Sequence, residues 1–214
     1  NNPDKKITII ASLFPQYDFA RQIVKDKADI SLLLPPGSES HTFEPTAKDM
    51  LKISNSDIFL YTGKYMEPWA NKVASSIDND KTLIKDVSTS LVLLTEEDHD
   101  EIECCDEENC TCHDNHEHCH HNHHHEYDPH VWLNPQLAVV MIDNVLDAVC
   151  QKDPNNKDFY TQNANNYKEK ILTLDKEIED FVNKSSNKKI IFASRFAHRY
   201  FIERYGLEYM AAFD

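Results

Sequence analysis

The chain has 214 residues, 40% of them hydrophobic, and a formal net charge of -15; that is enough for one full domain and part of a second. Thirteen acidic residues and no Lys or Arg fall within residues 96–128, leaving only about -2 for the rest. A nucleic-acid partner is disfavoured, because phosphate binding needs a basic face and the one long charge run has the wrong sign; cations would be drawn to it. There are only three glycines, Gly37, Gly63 and Gly206. That excludes a dinucleotide fingerprint or a phosphate-binding loop, both of which need clustered glycines at a strand-to-helix turn.

Residues 7–12 (ITIIAS) form a short β-branched run, and Pro15 opens a helical pattern through Phe19, Ala20, Ile23 and Val24. Residues 28–34 (ADISLLL) read as the next strand, stopped by Pro35, Pro36 and Gly37. Thr46 caps a short helix carrying Met50, Leu51 and Ile53, followed by a strand at 57–61, a helix at about 65–77 and a fourth strand at 82–87. Strands alternating with helices at this spacing predict a parallel sheet with helices on both faces. No stretch approaches the roughly 20 apolar residues that cross a bilayer. The first six residues hold neither a methionine nor an apolar signal core, so the chain reads as a mature or trimmed soluble segment.

The acidic tract carries another signal. Between His116 and His125, seven of ten residues are histidine: His116, His118, His120, His121, His123, His124 and His125, with Cys119 among them. Such a segment has almost no apolar area to bury, whereas imidazole and thiolate are preferred donors for zinc and neighbouring metals. Cys104, Cys105, Cys110 and Cys112 precede it as a vicinal pair and a C-x-C. These do not match the C-x2-C knuckles of structural zinc sites and read as loose thiol donors or a labile disulfide. With low hydrophobicity and high charge, the tract is expected to be disordered without metal. Cys150 closes an apolar helical stripe and reads as a small buried hydrophobe.

After the tract, Asn134 and Pro135 give a strong helix start, with Leu137, Met141, Val145 and Val149 on one face. A longer helix is predicted over about 155–184, with Tyr160, Ala164, Tyr167, Ile171, Leu174, Ile178 and Phe181 spaced alternately four and three apart. Roughly thirty residues span about 45 Å, enough to lie across two domains and tie them together. A coiled-coil seam is the competing reading, disfavoured because the pattern ends in a new strand at 189–193. A helix over about 196–205, Gly206 as its C-cap and a strand at 207–213 follow. This β-α-β unit cannot cover both faces of its own sheet, so the second domain is expected to be cut short.

Three histidines lie outside the tract. His41 sits in a loop after the carboxyl end of a strand, where open α/β sheets place ligands. His130 follows Asp128 and Pro129, and the proline stiffens its approach. His198 lies near the end of the chain. The segments ITIIASLFPQYDFARQI, LLLPPGSESHTFEPTAKDM, YTGKYMEPW, DPHVWLNP and RYFIERYGLEY together resemble the zinc or manganese solute-binding receptors of bacterial ABC importers, the cluster A-I family. The resemblance implies two parallel-sheet α/β domains joined by one long rigid helix, with the metal in the cleft between them. It makes His41 and His130 the first two metal ligands; Asp128, from its place beside His130, reads as a carboxylate that shapes the loop or supports the ligand. The family's third ligand, a His or Glu, aligns with Arg195, which has no lone pair to give a metal. His198, three residues on and nearly on the same helical face, is the candidate to replace it.

The expected organisation is an N-terminal α/β metal-binding domain at 1–152 containing the acidic loop at 95–127, a linker helix at 153–187, and an incomplete C-terminal α/β domain at 188–214. The expected function is a high-affinity extracytoplasmic Zn2+ receptor that delivers metal to a membrane permease, acts as a monomer and catalyses nothing. Its loop gathers or senses zinc. Zinc is favoured over Mn2+ because imidazole and thiol dominate the donors. Contact with the membrane is expected only through a lipid anchor that this sequence does not contain. The alternatives are a manganese-type receptor, a zinc metallohydrolase whose open coordination position activates water, and a metal-buffering adhesin. There is no H-E-x-x-H, and Asp128 is the only carboxylate near His130 that could serve as a base.

Overall fold

A computed structural model describes residues 6–35, 37–77, 80–95 and 127–213. Strand β1 (Ile7–Ala11) is central. It is followed by α1 (Phe14–Val24), β2 (Ala28–Leu32), α2 (Ala47–Ser54) and β3 (Ile58–Tyr61). The helical pieces α3 (Gly63–Met66) and α4 (Pro68–Ser76) then lead into β4 (Leu83–Asp86). These four strands form one parallel sheet in the order β2-β1-β3-β4.

Alternation along the central strands divides the core, as the two-residue period of a strand requires. Ile9, Ala11, Ile58 and Leu60 face α1 and the later helices, in a cluster with Phe19, Ile23, Met141, Val145 and Tyr160. Ile10, Phe59 and Tyr61 face the other way, packing with Ile53, Trp69, Ala70 and Val73 from α2 and α4. Helices therefore cover both faces, as the strand-helix alternation predicts.

Thr46 begins α2 with a reciprocal cap: its hydroxyl accepts from the Asp49 N–H at 3.3 Å, and the Asp49 carboxylate accepts from the Thr46 N–H at 3.0 Å. The single helix expected at 65–77 is broken in two. Pro68 has no N–H to give and pushes the preceding residue out of helical geometry, and Glu67 accordingly sits at φ -136 and ψ 71. Gly63, which starts α3 at φ +62, is required as glycine, because a Cβ there would lie 2.8 Å from Ser88 Oγ.

A 3₁₀ turn (Val131–Leu133) leads into α5 (Pro135–Lys152), whose cap is Asn134, its Oδ1 accepting from the Gln136 N–H at 2.9 Å. Helix α6 (Lys157–Lys184) has 28 residues, about 42 Å of helix. It packs on α1 and α5, where Asn163 donates to Ile23 O at 2.9 Å and Tyr167 donates to Asp18 Oδ2 at 2.8 Å. Beyond it lie β5 (Lys189–Arg195), α7 (Arg199–Tyr205) and β6 (Glu208–Phe213), with β5 and β6 forming a separate parallel pair. Gly206 closes α7 in the left-handed conformation at φ 60. Strand β5 runs two residues further than its apolar pattern, and α7 starts three residues later than expected. Arg195 is consequently the last residue of a strand and His198 the N-cap of a helix, so the helical-face relation between them does not exist. Cys150 is half-buried on α5, packed at the edge of the core, and burial pushes its thiol up. Among the described residues no helix is long and apolar enough to cross a membrane.

Candidate metal centre

His41 lies on the loop between β2 and α2. The loop is fastened from α4: Trp69 donates its indole N–H to Ser40 O at 3.1 Å, and the Phe43 ring meets Trp69 edge-on at 5.1 Å. Ser40 is buried while His41 beside it is exposed, so a rigid backbone presents a free imidazole.

His130 comes from the other side of the acidic tract, on a segment whose Asp128 and Pro129 are both buried. One oxygen of Asp128, Oδ1, accepts from the His130 backbone N–H at 2.9 Å and meets ring Nδ1 at 2.7 Å. In the neutral ring this carboxylate holds the proton on Nδ1 and leaves the Nε2 lone pair available, as metal-ligating histidines require. Trp132 packs edge-on against the same ring at 5.5 Å.

The two histidines meet, their ring centroids 6.2 Å apart with planes at 64°. With a Zn–N bond of about 2.1 Å, an imidazole centroid lies about 3.2 Å from its ion, so two rings sharing a tetrahedral zinc have centroids about 5.2 Å apart. The pair is therefore within about 1 Å of that arrangement, and the exposed His41 side chain is the one free to close the gap.

His198 does not join them. Its ring stacks on Phe192 at 4.9 Å, and its Nδ1 is buried without a hydrogen-bond partner. Among the described residues no group of three or more His, Cys, Asp or Glu side chains is placed to hold one metal ion. The side chain of Arg195 and the accessory donors His116, His118, Cys119, His120, His121, His123, His124 and His125 lie outside the described residues.

Of three residues that the sequence patterns do not mark, two hold the loops of the site and one is a buried carboxyl elsewhere in the domain. Trp69, inside the helix expected at about 65–77, fastens the His41 loop through Ser40. Glu67 is fully buried at the carboxyl end of β3, where its Oε2 accepts from the Thr62 N–H at 2.5 Å and its Oε1 has no partner. Burial, with a further push from Asp86 and against hydrogen bonds from Ser12 and Thr62, raises its carboxyl from 4.5 to about 7. Gln16 stands beside it; its amide satisfies its neighbours when the nitrogen donates to Leu13 O at 3.0 Å and the oxygen accepts from Thr62. A glutamate before a proline looks like a solvated loop residue, and nothing local marks it as buried. The third, Tyr200 of α7, is 3% exposed and reaches the segment that carries His130.

Comparison with known proteins identifies the family. Residues 9–213 match the family described as zinc-uptake complex component A, periplasmic. The chain is 35% identical over 203 residues to the high-affinity zinc uptake system protein ZnuA of Bacillus subtilis, covering 95% of this chain and 60% of that protein. It is 31% identical over 208 residues to the zinc-binding lipoprotein AdcA of Streptococcus pneumoniae, covering 97% of this chain and 39% of that protein. The crystal structure of Zn(II)-bound AdcA superposes with a TM-score of 0.78 at 28% identity, over 98% of this chain and 40% of that one.

Proposed function

This chain belongs to the zinc-uptake complex component A family, and we propose that it is an extracytoplasmic Zn2+ receptor that hands its ion to the permease of an ABC importer. The observation that carries the reading is the His41–His130 pair at 6.2 Å, one ring exposed and the other locked by Asp128. His198, whose buried Nδ1 has no partner, supplies the third donor once its ring leaves Phe192. The segment 96–126 gathers zinc for the pair or senses it. Helix α6 acts as the linker (153–187) between a metal-binding domain at 1–152 and a second domain beginning at 188. Zinc is preferred to Mn2+ because both facing donors are imidazoles. A hydrolase is the weaker reading, because among the described residues the carboxylate beside His130 is engaged with that ring and its backbone and so is not free to act as base on an activated water.

The test is calorimetric titration of the full chain with Zn2+. Losing the outer partner of a ligand typically costs 10–100-fold in affinity, so losing a ligand costs more. His41→Ala and His130→Ala are each expected to weaken the tightest site by more than about a hundredfold. A buffer whose binding resides in the acidic tract would keep its tight binding in both variants, and that result would overturn the reading.

A further inference from the structure

We propose that Tyr200 is a positioning residue for zinc capture, acting through Asp128 on the His130 ring. The inference rests on the assignment of His130 as a ligand. Leu94 and Asp128 run antiparallel at the base of the acidic tract, next to the single bridge between Thr95 and Tyr127. Residues facing each other in this way normally exchange two backbone hydrogen bonds. One is present, from the Asp128 N–H to Leu94 O at 2.9 Å. In place of the other, the Tyr200 hydroxyl accepts from the Leu94 N–H at 2.9 Å and donates to Asp128 O at 2.8 Å. A side chain from α7 thus completes the ladder. Arg199, the neighbouring residue, donates to Thr95 O.

The placement matters because Asp128 makes two kinds of bond at once. Its backbone carbonyl is held by Tyr200, and its carboxylate holds the His130 ring and N–H. Only Pro129 separates the two residues, so any shift of the Asp128 backbone is passed to the ring. Both Tyr200 and Asp128 are buried, so a lost partner leaves a desolvated polar group. Tyr200→Phe leaves the Leu94 N–H and the Asp128 carbonyl without the bridging group. The two strands must then close on each other or part, and in either case the Asp128 carboxylate moves relative to the imidazole.

The experiment uses the full chain and Zn2+ alone. Tyr200→Phe is expected to weaken the tightest zinc site by about 10–100-fold, the range for outer-sphere partners, and to add no further loss in a His130→Ala background. In the zinc-free protein, nitrogen-15 NMR of the imidazoles should show His130 almost wholly as the Nδ1–H tautomer in the parent and as a mixture in Tyr200→Phe. Tyr200→4-aminophenylalanine, which keeps a donor at the same place, should restore both. Parent-like affinity and tautomer in Tyr200→Phe, whatever its thermal stability, would overturn the proposal, as would an equal loss of affinity with and without His130. Fast hydrogen exchange at the Leu94 amide of the unmutated chain would overturn it too, even if the variant failed to fold. The tautomer and exchange measurements need no zinc, so they remain decisive even if His130 proves not to bind the ion.

Discussion

Asp128 and Glu67 show how differently two buried carboxylates can be held. Asp128 spends one oxygen on the backbone and ring of His130. Its replacement by alanine frees the imidazole to rotate and change tautomer, and zinc affinity is expected to fall 10–100-fold by titration; Asp128→Asn, which keeps an acceptor, loses less. Glu67 has no such partner and is instead pushed up to about 7 from 4.5 by burial. A carboxyl raised on folding is bound more tightly to its proton in the folded state, so its contribution is most favourable below about pH 4.5 and declines until about pH 7. Glu67→Gln is expected to remove that decline, seen as a urea midpoint that no longer drops relative to the parent between pH 5 and about 7. His41 and His130 were legible because each stands in a proline-bearing loop where a core histidine has no business. Glu67 was not, since burial of a polar residue depends on chain segments far apart in sequence, here Ser12, Gln16 and Thr62.

At the level of elements, α7 is attached to α6 through Arg204, which pairs with both Asp175 and Glu179. Arg204 reaches Asp175 with two nitrogens, at 2.9 and 2.7 Å, while Tyr205 donates to the same carboxylate at 2.9 Å. Burial alone would raise the Asp175 carboxyl, but the bonds from Arg204, Tyr205 and Gln136 outweigh it and hold it below 3.8. That stabilisation is present above pH 3.8 and is lost as the pH falls through the folded-state value. Asp175→Ala removes the two bonds from Arg204 and the one from Tyr205 while Arg204 keeps Glu179 at 3.0 Å, and should cost about 1.5–3 kcal/mol, read as a lower urea midpoint and faster amide exchange in α7. The helices were readable where a cap or a long apolar stripe marked them, as at Thr46, Asn134 and the 28 residues of α6. They were misread where a single residue decides: Pro68 breaks one predicted helix into α3 and α4, and His198, non-helical at φ -117, is the N-cap from which α7 starts.

The molecule as a whole is unevenly packed. Ile9, Ile58, Phe59 and Leu60 are wholly buried, whereas Ile191 is 72% exposed, Met210 52% and the nearby helical Phe181 73%. Regions with few buried apolar contacts open at lower free energy than the core. Amides of β1 and β3 are therefore expected to exchange only on global unfolding, and those of β5 and β6 much sooner, as hydrogen-exchange mass spectrometry can resolve. The parallel sheet and the tie between its two parts were legible because strand-helix alternation and a stripe over 28 residues are long-range patterns. The distance between two loops is not such a pattern. The 6.2 Å between His41 and His130 arises from Trp69, Phe43 and Asp128 acting at different points of the chain.

The pairing of Thr95 with Tyr127 makes the site a socket with an interchangeable cartridge. Whatever lies at 96–126 enters and leaves through two adjacent residues already joined to each other, with Leu94 and Asp128 bridged behind them by a phenol. For a flexible insertion in such a socket, doubling the length costs only about 0.6 kcal/mol of closure entropy. Its length can therefore change without redesigning the residues that hold His130. Replacing 96–126 by a Gly/Ser segment of equal length should abolish the weaker zinc equivalents in a titration and leave the tightest one unchanged.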